Sequence, residues 1–172
     1  RGYTKSSMNY EELLARAAQA YGIELRYTDT WGREHETSPE VLRALLASLG
    51  FSARSSEEIA SGLAAREAAR WRQPIEPTLV VREDLNHLRV HIPASRKGAS
   101  MKVELEWENG ELQHHWFWMA ELPTLETASV EGHDWLAKRV PLPGLRPGYH
   151  RLRLLWVHEP QLETFAEARF IV

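Results

Sequence analysis

The chain has 172 residues, of which 43% are hydrophobic and 26% charged, with a formal net charge of −3 and no cysteine. That is the composition of a globular protein with room for one ordinary domain or two small ones. It excludes disulfides, thiolate catalysis and cysteine-ligated zinc, and it offers no basic footprint for nucleic acid or an anionic membrane surface.

At the start, Arg1–Ser7 lacks the charged-then-apolar order of a secretory signal, and Met8 reads as a natural initiator. The first seven residues are therefore expected to be a cloning remnant. No apolar run approaches the roughly 18 residues of a membrane helix. With the absence of cysteine, this points to a cytoplasmic protein.

From there to about Arg70, apolar residues recur at helical spacing. A first helix is expected from Asn9, with Glu12 completing a capping-box pattern, to Tyr21, where Gly22 stops it; Leu13, Leu14, Ala17 and Tyr21 form its buried face. Ile23 to Asp29 has the character of a short extended stretch, and a Trp31-Gly32-Arg33 turn follows. The second helix is the best punctuated: Ser38 caps it, Pro39 suits its first turn and Gly50 its left-handed stop, while Val41, Leu42, Leu45, Leu46 and Leu49 make a broad apolar stripe. A third begins at Ser55, with Glu58 in the box position, and carries Ile59, Leu63 and Ala64 toward Arg70.

The period changes around Trp71–Pro77, whose two prolines favour an extended connector. We place the internal boundary there, between a helical subdomain at 8–73 and a β-sandwich subdomain at 74–172. Leu88, Val90 and Ile92 alternate with Arg89 and His91; Met101, Val103, Leu105 and Trp107 alternate with Lys102, Glu104, Glu106 and Glu108. Asn109-Gly110 then gives the strongest two-residue hairpin signal, and Leu112, Trp116, Phe117 and Trp118 belong to the return strand. Later strands are expected over Leu136–Leu142, Tyr149–Val157 and Thr164–Ile171. The fold class is α+β: a small N-terminal helical unit followed by an antiparallel, immunoglobulin-like β-sandwich. Tyr149, just after Pro147-Gly148, sits where such sandwiches carry a tyrosine corner. A structural hydrogen-bond anchor is the preferred reading there, against a ligand role for Tyr149 or His150.

No catalytic constellation emerges. His114 and His115 are consecutive on a strand and point to opposite faces, and His87 and His91 share a face but stand about 13 Å apart, so neither pair chelates one ion. The paired carboxylates Glu11-Glu12, Glu57-Glu58 and Glu83-Asp84 fall at helix starts or loops, where negative charge is favourable or solvated. No metal ligand set, catalytic residue or cofactor is assigned. Aromatic residues are the remaining possibility, since exposed indole faces accept sugar rings. Trp107, Trp116, Phe117 and Trp118 surround one hairpin; if Trp116 and Trp118 face inward, Phe117 faces outward, so at most part of the cluster is a surface platform. Core or interdomain packing is the preferred reading, with Trp31, Trp116, Phe117 and Trp118 kept as candidate substrate-binding residues. For Trp31 and Trp71, docking against the sandwich or a missing neighbour is the simpler explanation.

Taken in order, the Trp31-Gly32-Arg33 turn, the Ser38–Gly50 helix, the Trp71, Pro74 and Pro77 connector leading into Leu79-Val80-Val81-Arg82-Glu83, and the late Leu145-Arg146-Pro147-Gly148-Tyr149-His150-Arg151-Leu152 make a pattern. It resembles the N-terminal region of bacterial 4-alpha-glucanotransferases, the amylomaltases. The resemblance covers Met8 to Val172. It implies a non-catalytic module whose native chain continues into a (β/α)8 barrel, where carboxylates break an α-1,4-glucan and pass the donor segment to the 4-hydroxyl of an acceptor. Retaining chemistry of that kind sets its carboxyl groups on rigid strand ends at the barrel mouth. The expected partners are that barrel and, as a candidate ligand, α-1,4-glucan, with no nucleic acid and no membrane. An α-glucan-binding module and a protein-interaction domain are the alternatives.

Overall fold

The structure is a computed structural model that describes residues 8–142, 144–158 and 160–172. Arg1–Ser7, the expected cloning remnant, lies outside them. The chain divides into two compact units, one up to Glu67 and one from Ala68 to Val172.

In the first unit, helix α1 spans Tyr10–Ala20. Its capping box is formed as the spacing requires: Asn9 Oδ1 accepts from the Glu12 amide at 2.8 Å and Glu12 Oε2 accepts from the Asn9 amide at 2.9 Å. Strands β1 (Arg26–Thr28) and β2 (Glu34–Glu36) make a short antiparallel hairpin with Trp31-Gly32 at its tip. Helix α2 spans Pro39–Ser48 with Ser38 at its N-cap, and helix α3 spans Ser56–Arg72. At α3 the expected box is altered. Ser55 Oγ accepts from the Glu58 amide, but the Glu58 carboxylate reaches back to the Ser52 hydroxyl at 2.5 Å and the Arg54 amide at 3.3 Å.

Leu13, Leu14, Ala17, Leu42, Leu46, Phe51 and Ile59 form this unit's core. Gly62 is required within it, because a Cβ there would stand 2.5 Å from the Phe51 ring. The buried stripe of α2 is narrower than its sequence suggests. Leu42 and Leu46 are buried while Val41, Leu45 and Leu49 are exposed, so only one row of the stripe is covered. Tyr21 is half-buried against Phe51 and carries the Arg66 guanidinium 4.3 Å from its ring centre, and Ala64 is exposed.

The second unit is a sandwich of eight strands: β3 (Thr78–Val80), β4 (His87–Pro93), β5 (Ser100–Glu106), β6 (Leu112–Trp118), β7 (Thr124–Val130), β8 (His133–Pro141), β9 (Tyr149–His158) and β10 (Gln161–Ile171). They form a five-stranded sheet ordered β3-β10-β9-β5-β6 and a three-stranded sheet ordered β4-β8-β7. The inward rows meet face to face: Leu88, Val90, Ile92 and Val140 from one sheet against Met101, Val103, Leu105, Leu152, Leu154 and Phe170 from the other. One pairing, β3 with β10, is parallel, so the sandwich is mixed rather than wholly antiparallel as expected.

The β5–β6 hairpin follows Asn109-Gly110, but only Gly110 takes a positive φ, while Asn109 Oδ1 accepts from the Glu111 amide at 3.0 Å. The connection is therefore wider than a two-residue turn. The tighter primed turn lies at Glu131-Gly132, between β7 and β8, where both φ values are positive.

Tyr149 forms no tyrosine corner: the residue is 70% exposed. Strand alternation gives the inward place to His150, which accepts from the Glu108 amide at 3.1 Å, donates to the Arg146 carbonyl at 2.8 Å and meets the Trp107 ring edge-on. Gly148 lets the chain pass this anchor, having a φ of +145° and room for no Cβ between Glu108 and His150. At the other end, His91 Nδ1 lies 3.0 Å from the Arg70 carbonyl and 3.1 Å from that of Gln73, with its ring against the fully buried Trp71. The histidine thereby satisfies carbonyls left over at the end of α3.

Candidate functional site

The face of the five-stranded sheet turned away from the core carries the most distinctive surface chemistry. Strand alternation puts Trp116 and Trp118 of β6 outward together, 59% and 52% exposed, and turns Phe117 inward against the sandwich core. This reverses the inward placement of the two indoles considered from the sequence. Trp118 is held in place by its indole N–H, which donates to the Gly98 carbonyl at 3.0 Å. Trp116 stands opposite Lys102, whose ammonium lies 5.7 Å from the ring centre.

Register then assembles a charged ladder. Glu104 is paired across β6 with His114 and across β9 with Arg153. Its carboxylate accepts from Lys102 at 2.8 Å and meets Arg153 at 2.5 Å and His114 at 3.5 Å. Burial pushes the Glu104 carboxyl upward, but Lys102, Arg153 and His114 outweigh it and hold the group below the usual glutamate value. Lys102 and Glu104 are both buried even though they lie on the outer face. The ladder continues through Glu106, Arg151 and Glu167, with Arg151 3.7 Å from Glu106 and 3.2 Å from Glu167. There it borders an open cleft of about 580 Å³ lined by Glu106, Tyr149, Arg151, Glu167 and Arg169.

Trp31 belongs to the other unit and is 82% exposed. Its turn is stiffened from beneath: Asp29 Oδ1 accepts from the Trp31 and Arg33 amides, each at 2.9 Å, and Oδ2 lies 2.9 Å from His35 Nε2. The His35 contact, then the two amides, lower the Asp29 carboxyl. Of the four aromatic candidates, two therefore share one face, one joins the core and one stands on a separate hairpin.

Glu104, held below the usual glutamate value and matched by Lys102 and Arg153, is not poised as a general acid. Among the described residues no group of three or more His, Asp or Glu side chains is placed to hold a metal ion. Sequence reasoning misses the ladder itself. Lys102, Glu104 and Glu106 recur at every second position, as do Arg151 and Arg153, but only the β5–β9 register shows that the two rows face each other.

Such a unit is a β-sandwich module with a patterned outer face, and comparison with known proteins gives it a place. The family described as the MalQ N-terminal beta sandwich domain matches residues 74–172, and the chain belongs to that family. The 4-alpha-glucanotransferases of Mycobacterium bovis and Mycobacterium tuberculosis are each 31% identical to it over 148 residues, 82% of this chain. The matched region spans only 19% of the length of those relatives.

Proposed function

We propose that this chain is the non-catalytic N-terminal module of a 4-alpha-glucanotransferase, a cytoplasmic enzyme of maltodextrin and glycogen metabolism. Its full-length parent transfers a segment of an α-1,4-glucan to the 4-position of an acceptor glucan or glucose. The observation that carries this reading is the 31% identity to proteins of that name, of which the match spans 19%. In this reading the reacting carboxylates sit in a (β/α)8 barrel further along the native chain, which is the module's partner. The helical subdomain 8–73 and the immunoglobulin-like sandwich subdomain 74–172 serve as its support. The pairing of Glu104, Glu106 and Glu167 with Lys102, Arg151 and Arg153 agrees with that division of labour.

The test is incubation of the purified chain with maltotriose. Neither glucose nor longer maltodextrins are expected; their appearance would overturn the non-catalytic assignment. Reading the gene downstream tests the parentage, which fails if no barrel follows.

A further inference from the structure

We infer that the outer face of the five-stranded sheet is an α-glucan-binding surface in which Trp116 and Trp118 are the stacking platform and the Glu104 ladder supplies the polar contacts. The inference rests on the proposed 4-alpha-glucanotransferase parentage for the choice of sugar.

The two indoles are neighbours on one face of one strand, about 7 Å apart along it, and so lie in reach of successive rings of a single oligosaccharide. An exposed aromatic pair on an edge strand is costly to keep in water, because each ring leaves a large apolar face hydrated. Trp118 is additionally fixed by Gly98, so little side-chain freedom is lost when a ligand lies on it.

The surroundings separate a sugar from a protein partner. Protein–protein interfaces deplete charge at their centre. Here the centre of the face, immediately beside Trp116, holds Lys102, Glu104 and Arg153, already buried or half-buried and joined to one another. A glucosyl unit is apolar on its ring face and hydroxylated around its rim. Stacked on Trp116, it brings hydroxyls to these groups, which accept and donate without needing a partner's charge. The other aromatic candidates lack this pairing of ring and polar rim: Phe117 faces the core, and Trp31 stands at a hairpin tip in the other unit.

The experiment is titration of the intact chain with maltoheptaose, followed by calorimetry and by tryptophan fluorescence. Saturable binding is expected, reduced at least tenfold in the Trp116→Ala/Trp118→Ala double variant. It should be kept within a few-fold in Trp116→Phe/Trp118→Phe and unchanged in Trp31→Ala. The alanine pair is outward-facing, and an unchanged melting temperature will show that the sandwich persists; if the alanine pair unfolds, Trp116→Ala alone carries the test, expected to weaken binding several-fold, and unchanged binding in it overturns the inference. No saturable response, an unchanged response in the double alanine variant, or equal affinity for cellohexaose overturns the inference. None of these touches the maltotriose assay or the downstream reading frame, so the parentage stands or falls separately.

Discussion

Lys102 and Lys138 are both buried in the sandwich, and their settings differ sharply. Lys102, on the outer face of the five-stranded sheet, has Glu104 at 2.8 Å and an indole face above it. Lys138, on β8, occupies an inward row between Leu136 and Val140 and is 1% exposed. It reaches the Leu122 carbonyl at 2.9 Å, and loss of hydration followed by repulsion from Lys97 lowers its pKa below the usual lysine value. One cation is buried because a carboxylate is buried with it. The other is buried because its strand position demands an inward side chain, and its length lets the ammonium escape to a loop carbonyl. Buried charge in this fold is therefore matched where the surface is patterned and merely tolerated where it is not.

The largest expected effect breaks the matched side. Glu104→Gln leaves Lys102 and Arg153 without their shared anion and should cost about 3 kcal/mol of stability, read from urea unfolding. A loss below about 1 kcal/mol would mean that the ladder is a solvated surface network and that its burial contributes nothing special.

His150 extends the comparison to a ring whose two nitrogens are both engaged. His150→Phe retains the contact with Trp107 but strands the Glu108 amide and the Arg146 carbonyl, at an expected cost of about 2 kcal/mol. Tyr149→Phe, one residue away, should change the midpoint of unfolding hardly at all, since its ring is outside the core. Equal losses in the two variants would return the anchor to Tyr149.

The same pair separates what is legible in the amino-acid sequence from what is not. Residues 145–152 announce a corner, and the strand that follows alternates correctly, but whether Tyr149 or His150 points inward is a matter of phase, which a one-residue shift inverts. Phase also governs Trp116, Phe117 and Trp118: their mutual opposition is legible, their absolute direction is not. Helix ends are clearer, because the Asn9–Glu12 and Ser38–Pro39 signals act within one turn. The β7–β8 hairpin is hidden because Glu131, rather than Asn or Asp, occupies a left-handed turn position. The ladder is hidden because Glu104 and Arg153 are joined only by long-range register.

A smaller effect tests the tolerated side. Lys138→Met keeps the length and apolar body of the side chain and removes a charge that burial disfavours. It should stabilise the protein at neutral pH by about 1 kcal/mol, less than the several kcal/mol an isolated buried ion costs, because the Leu122 carbonyl already offsets part of that penalty. Destabilisation of that size would show that the ammonium–carbonyl bond outweighs desolvation, and Lys138 would then belong with Lys102.

The smallest effect is the pH dependence of that difference, and its sign is fixed by the direction of the shift. Because the folded-state pKa of Lys138 lies below the ordinary lysine value of 10.5, the unfolded chain holds more protons at this position than the folded chain in the interval between them. Stability must then rise with pH across that interval, as the folded protein sheds a charge it holds at a cost. The Lys138→Met variant lacks this group, so its advantage should be full at neutral pH and shrink as pH climbs toward 10.5. Comparing the two proteins at each pH cancels the titration of the other lysines and tyrosines. A gap that widens with pH would mean that Lys138 gains its proton on folding, so that the acceptors at its tip outweigh desolvation.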